Sequence, residues 1–281
     1  AGEVRVGDEV RLTVDEQRRN RIRANHSATH LLHAALRRRL GDQVTQKGSL
    51  VAEDYLRFDF SYPEKIDREG LDRIEQDVNS QIRGNSEVGT RLMTPDDAVA
   101  AGAMALFGEK YGDEVRVLSM GCDADADFSI ELCGGTHVER TGDIGLFAII
   151  GESSVSSGVR RIEALTGNAA SEYLRTRANA LNEISGKLGA TPDAAVAQLD
   201  ALLAQRKTLE RELADAKRAL ALSGGGGDGP QVSDETINGV TFSGQVIEGL
   251  DPKELRPLLD AAKQRLGSGV AAICATNDGK A

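Results

Sequence analysis

The segment Ser223-Gly224-Gly225-Gly226-Gly227-Asp228-Gly229-Pro230 limits what this chain can fold into more than any other feature. Its glycines lose too much conformational entropy to join a packed helix or strand, and the closing proline blocks continuation. It reads as a flexible linker, so the chain cannot be one continuous globule. At 281 residues there is length for about two domains.

The stretch before the linker, residues 168–222, reads as almost wholly helical. Leu174, Arg177, Leu181, Ile184 and Leu188 step by three and four. Gly189 to Asp193 interrupts this pattern, and Thr191 as N-cap with Pro192 at the first helical position restarts it. Leu199, Leu202, Leu209, Leu213, Ala216 and Leu220 then fall at seam positions, with Arg206 the odd member. An antiparallel helical hairpin is predicted. Beyond a linker assigned to 223–235, residues 236–281 hold a strand (Gly239 to Ile247), a helix (Pro252 to Leu266) and a strand (Val270 to Ala275). That is one partial α/β unit with little core of its own. The chain opens without Met and stops just after a strand, so it reads as a piece of a longer protein.

Residues 1–167 mix both signals. Val4, Val6, Val10, Leu12 and Val14 alternate with polar residues around Gly7-Asp8, predicting a hairpin over Gly2 to Val14. Helices are predicted over Asn25 to Leu40, Asp67 to Ile82 and Asp96 to Ala105. Strands are predicted at Ser49 to Val51, Leu56 to Phe60, Val115 to Leu118, Phe128 to Leu132, Gly145 to Ile150 and Val159 to Ala164, completing one sheet. The expected fold class is α+β: a mixed-sheet domain with a metal site, then the helical hairpin, then the partial α/β unit. Aromatic residues are only 4% and Trp is absent, so the cores should be aliphatic.

No apolar run approaches the ~20 residues of a membrane helix, and no basic-then-apolar leader opens the chain. Three cysteines are too few and odd for a disulfide scaffold, which points to a reducing, cytoplasmic setting. The formal net charge of −10 argues against a nucleic-acid partner. Its distribution argues back. From Arg18 to Gly41 there is no acid, only Arg18, Arg19, Arg21, Arg23, Arg37, Arg38 and Arg39. Arginine pairs bidentately with phosphate.

Three of the four histidines, His26, His30 and His33, share one predicted helix. His26 and His30 are four apart, so both imidazoles leave one face one turn apart, a zinc-ligand spacing. The fourth is in Cys133-Gly134-Gly135-Thr136-His137, where a thiolate and an imidazole can converge from a tight turn. Together they form a Cys-His₃ set suited to one tetrahedral Zn²⁺. His33 could replace either helical ligand, but it reads better as a packing or RNA-facing residue. Cys122 and Cys274 read as ordinary buried thiols. Asp123 to Asp127 lacks the glycine and closing glutamate of a calcium loop and reads as an acidic surface loop.

Five blocks occur in order: Asn25-His26-Ser27-Ala28-Thr29-His30 with Leu31 to Leu36, Gln46 to Val51, Leu56 to Ser61, Glu131 to Val138, and Gly158 to Ala164. This series resembles the editing domain of bacterial alanyl-tRNA synthetases, and the rest resembles the start of that family's C-terminal domain. The resemblance implies a zinc-dependent deacylase of Ser-tRNA(Ala) and Gly-tRNA(Ala), with zinc on His26, His30, Cys133 and His137. It implies pocket roles for Gln46, Thr29 and Ser49: Thr29 for the serine hydroxyl, Gln46 for the attacking water or the ester carbonyl. The tRNA(Ala) acceptor end would meet Arg160 and Arg161, with Arg57 and Lys47 as weaker contacts. Homodimerisation would run through the C-terminal domain of the longer protein. The aminoacylation domain, with its ATP site, has no counterpart in these residues. A free-standing trans-editing deacylase and a non-catalytic zinc module that binds RNA are the competing readings.

Overall fold

The computed structural model describes residues 3–104, 112–124, 126–222, 233–248 and 255–276. The Ser223 to Pro230 linker, Ala105, Asp125 and Pro252 lie outside the described residues. Two compact units divide the chain, Ala1–Ala180 and Leu181–Ala281.

The first unit begins with α1 (Glu16–Leu40), which starts well before the expected Asn25. Asp15 is the reason: its side chain accepts the Arg18 amide at 2.9 Å and caps the helix. Glu16 in the first turn and Arg37 to Arg39 in the last complement the helix dipole. Gly41 closes the helix at φ 102°, its amide bonding Arg37 O at 2.8 Å. In chain order follow β1 (Gln46–Val51), β2 (Leu56–Ser61), α2 (Arg68–Gly84), β3 (Gly89–Met93), α3 (Pro95–Ala100), β4 (Val115–Asp123), β5 (Ala126–Leu132), β6 (Phe147–Ser156), β7 (Val159–Thr166) and α4 (Gly167–Leu188). The α+β class is borne out.

The strands form two sheets rather than one, in the orders β1-β2-β7-β6 and β3-β4-β5. Every strand pairing in both is antiparallel, where a mixed sheet was expected. Several neighbours are joined by short turns, and only antiparallel strands can be joined that way. The second sheet has its own small core, Ala98, Ala103, Val115 and Val117, which is why it separates. The expected hairpin over Gly2 to Val14 does not form. Val4, Val6, Val10, Leu12 and Val14 are all exposed, and a lone hairpin with no surface to bury against is marginal.

The main core packs Leu31, Leu32 and Leu36 of α1 and Ile74 and Val78 of α2 on Leu56, Phe58, Phe60 and Ile162 of the first sheet. It is less aliphatic than expected: Phe58, Phe60 and Phe147 are among its largest fully buried side chains. Buried Asn79 docks α2 on the sheet, donating to Phe147 O at 2.8 Å and accepting from Phe147 N at 3.0 Å. Asn25 does the same for α1. Its amide nitrogen donates to Ala52 O at 2.8 Å, and its oxygen accepts from Thr166 Oγ1 at 2.7 Å. The residue preceding His26 is thereby tied to the end of β1 and the end of β7.

The second unit holds the end of α4 and then α5 (Ala195–Leu222), β8 (Ser233–Ile237), β9 (Val240–Glu248), α6 (Leu255–Leu266) and β10 (Val270–Thr276). Of the seam leucines of α5, Leu199, Leu202, Leu209 and Leu213 stay open, from 42% exposed at Leu202 to 58% at Leu213. Its Ala, Leu, Arg, Glu and Lys content sustains the helix without a buried seam. β9 and β10 are parallel around α6, as the βαβ reading requires. β8 is an addition that takes residues assigned to the linker. Asn238 at φ 51° and Gly239 at φ 84° form its two-residue turn, the backbone a tight hairpin demands. The core around β9, β10 and α6 is small, with Ile247 and Leu258 its buried members among the described residues. Cys274 and Cys122 are exposed, not buried: on β10 Cys274 lies on the face opposite Ile273 and Ala275, which pack on the core, and Cys122 sits at the β4–β5 tip.

Candidate metal centre

α1 presents His26, His30 and His33 toward the segment that follows β5. His26, His30, Cys133 and His137 each bring a ligand atom to within 4.8 Å of the others. Cys133 Sγ lies 3.3 Å from His137 Nε2 and 3.6 Å from His26 Nε2. The imidazole centroids of His26 and His137 are 4.3 Å apart, and those of His30 and His137 5.1 Å. One of the two glycines between Cys133 and His137 makes this approach possible. A Cβ on Gly135 would collide with the His26 ring, whereas one on Gly134 would meet nothing within 4 Å. Arg116 Nη1 donates to Gly135 O at 2.5 Å and secures the turn.

Two residues that the sequence reading did not single out brace the cluster. Glu131 Oε2 is 2.6 Å from His30 Nδ1, and its Oε1 is 3.0 Å from His33 Nδ1. Ser27 Oγ is 3.2 Å from His137 Nδ1 and accepts the Val138 amide at 3.2 Å. The Glu131 signal was legible as alternation, since residues two apart on a strand share a face and Glu131 precedes Cys133 by two.

Electrostatics prepare the thiolate but leave a proton on His30 for an ion to displace. Burial alone would raise the Cys133 thiol, but hydrogen bonds with His137 and His26, and the nearby charged His30, bring it down to about 3. It is a thiolate at neutral pH, the form that ligates metals. Burial alone would lower His30, but the charge and hydrogen bond of Glu131 and the nearby Cys133 raise it to about 10. Burial would likewise raise Glu131, but His30 and His33 hold it at about 2. Burial pushes His137 below its ordinary value. The donor set fits a divalent ion. Three imidazoles and a thiolate are a tetrahedral complement, and the buried His30 Nε2 has no protein partner among the described residues. Buried polar atoms are normally satisfied, and an ion would satisfy this one.

The other expected site residues scatter. Thr29 is buried on α1, its hydroxyl donating to Asn25 O at 2.9 Å. Gln46, half-buried, and Ser49, exposed, lie on β1 with no hydrogen bond to the cluster among the described residues. Register places Ser49 across from Phe58, whose ring lies 5.1 Å from His33. His33 is buried and packed, not exposed to a ligand. The expected phosphate contacts are mostly engaged. Arg160 Nε donates to Glu152 Oε1 at 2.6 Å, and Arg161 makes two bonds to Asp59, at 2.7 and 2.8 Å. Arg57 lies 3.8 Å from Asp59, and Lys47 is exposed.

The acid-free arginine stretch is largely neutralised by the fold as well. Arg18 and Arg21 meet Glu53, Arg37 meets Asp42, Arg38 meets Asp123, and Arg39 meets Asp77. Arg19 and Arg23 have no ion pair among the described residues. Both line a 580 Å³ cleft, with Glu16, Asn20, Glu139 and Asp143, that reaches Val138 beside His137.

Residues 115–163, from β4 into β7, match the threonyl and alanyl tRNA synthetase second additional domain. Along its whole length the chain is 61% identical to an alanine--tRNA ligase of Sphingopyxis alaskensis and 60% identical to one of Rhizorhabdus wittichii. Over 99% of its length it is 54% identical to one of a Ruegeria species. It spans 32% of the length of each of these relatives. The resemblance drawn from the five sequence blocks is borne out. No helix among the described residues is long and apolar enough to cross a membrane.

Proposed function

We propose that this segment, which corresponds to about a third of alanine--tRNA ligase and contains its second additional domain, hydrolyses mischarged tRNA. The substrates would be Ser-tRNA(Ala) and Gly-tRNA(Ala), in the cytoplasm. The observation that carries this reading is the convergence of His26, His30, Cys133 and His137 in one partly buried cluster. The chemical need is general. A pocket built for alanine cannot strongly reject an added hydroxyl or a smaller side chain, so a second hydrolytic site must supply the discrimination.

His26, His30, Cys133 and His137 would hold one zinc ion, which supplies Lewis-acid polarisation or a fixed anchor for the aminoacyl end. The chain's own residues do the rest. Thr29 already donates its proton to Asn25 O, so its oxygen is left to accept from a serine hydroxyl. Alanine offers no such donor. Gln46 orients water or the ester carbonyl, and Ser49 completes the pocket wall on β1. Of the cations named above, Arg19, Arg23 and Lys47 are open to phosphate, while Arg160 and Arg161 reach it only by releasing Glu152 and Asp59. Homodimerisation through the C-terminal part of the longer protein belongs to the same reading.

Four protein ligands close a zinc sphere, as in structural sites. That observation favours a second reading, a zinc module that binds RNA without turnover. Deacylation of Ser-tRNA(Ala) and Ala-tRNA(Ala) by the purified chain, with and without chelator, decides between them. Chelator-sensitive turnover of the serine ester and sparing of the alanine ester support editing. Binding without turnover supports the module.

A further inference from the structure

We propose that Glu131 is a positioning residue of the metal centre, holding His30 in the one tautomer that presents Nε2 to the other three ligands. Glu131 is buried, its side chain 9% exposed, and sits two residues before Cys133 at the end of β5. An ionised carboxylate can only accept hydrogen bonds. With Oε2 at 2.6 Å from His30 Nδ1, the ring must donate from Nδ1. Its Nε2 is then the nitrogen left for an ion, buried and without a hydrogen-bond partner among the described residues. Turning the ring over would set a C–H against Glu131 and lose that bond.

His33 explains why the carboxylate stays in place. It lies three residues along α1 from His30, so both imidazoles emerge on one face and a single carboxylate bridges them. Its Nδ1 is 3.0 Å from Oε1, and its ring packs 5.1 Å from Phe58 in the core. His33 is therefore the anchor of Glu131 and not a ligand in reserve. Ser27 braces His137 in the same manner, its Oγ fixed by the Val138 amide. Two of the four ligands are thus oriented from behind, the arrangement that sets tautomer and basicity in metal sites.

The inference rests on the metal centre of the proposed function, and its test needs no tRNA. The full 281-residue chain and its Glu131→Gln and Glu131→Ala variants are titrated with cobalt(II) alone, followed by the visible spectrum of a thiolate-bound tetrahedral ion. Glu131→Ala is expected to weaken cobalt binding about 10–100-fold. Glu131→Gln keeps the volume but offers one acceptor oxygen to two donors, so its affinity should fall between. Circular dichroism and melting temperature report the fold separately. A glutamate with a merely structural role would lower the melting temperature without moving the cobalt affinity of the folded protein. If Glu131→Ala fails to fold, Glu131→Gln decides. Wild-type binding matched by the folded variants overturns the positioning role and leaves editing standing. A wild-type chain that binds no cobalt overturns the metal centre and the positioning role together.

Discussion

Arg161 and Asp59 face each other across β7 and β2 as a bidentate pair, with bonds of 2.7 and 2.8 Å. Alternation along β2 puts them on the sheet face opposite Phe58 and the metal cluster. The hydrogen bonds from Arg161, more than the charges of Arg161 and Arg57, hold the Asp59 carboxyl below its ordinary 3.8 despite burial. A depressed folded value means the pair stabilises the fold fully above 3.8. That contribution is lost as pH falls through the folded value. Urea midpoints measured from neutral pH downward should therefore fall less steeply below pH ~4 in Asp59→Asn than in wild type. Parallel curves would remove Asp59 from the acid transition.

Salt dependence of tRNA binding separates open cations from engaged ones. Arg23→Ala and Lys47→Ala should each flatten the slope of log affinity against log salt by about one unit or slightly less. Arg161→Ala should chiefly lower the melting temperature, because it strands Asp59. A slope change with Arg161→Ala as large as with Lys47→Ala would show that Arg161 leaves Asp59 for phosphate.

The two glycines of the Cys133 to His137 turn should behave oppositely. Gly135→Ala drives a methyl group into the His26 ring and is expected to weaken metal binding about tenfold or more. Gly134→Ala faces open space and should stay within about 0.5 kcal/mol of wild type in stability, with metal affinity retained. Isothermal titration with zinc and chemical unfolding of both variants check this pair.

Metal removal should cost stability by mass action. At an ion concentration 100 times its dissociation constant, binding adds about 2.7 kcal/mol. Chelation should therefore lower the melting midpoint of the loaded protein by about 5–10 °C. Cys133→Ala should melt low with or without chelator, and it should lose serine deacylation. A Cys133→Ala protein with full deacylation would mean that the cluster is not the editing site.

Legibility in the sequence followed how local each signal was. His26 and His30 are a helical spacing and Cys133 and His137 a turn spacing, so both halves of the cluster could be read in place. Alternation alone puts Glu131 on the face of Cys133, but its role was hidden, because its partners His30 and His33 are about a hundred positions away. The alternation from Val4 to Val14 gave a hairpin that the fold does not make, since period two records a strand only where one face has something to bury against. Asn238-Gly239 carried the hairpin signal that mattered, and it went unread beside the glycine linker.

The amino-acid sequence by itself determined the helices, most strands, the α+β class and the four residues that gather as candidate ligands. Each depends on periodicity, capping or spacing within a few residues. Only the tertiary structure decided which arginines remain open to phosphate, how many sheets the strands form, and which groups stand behind His30 and His137. Those outcomes depend on carboxylates and backbone brought from distant parts of the chain. Burial then makes such groups costly to leave unpaired, and so fixes the pairs that form.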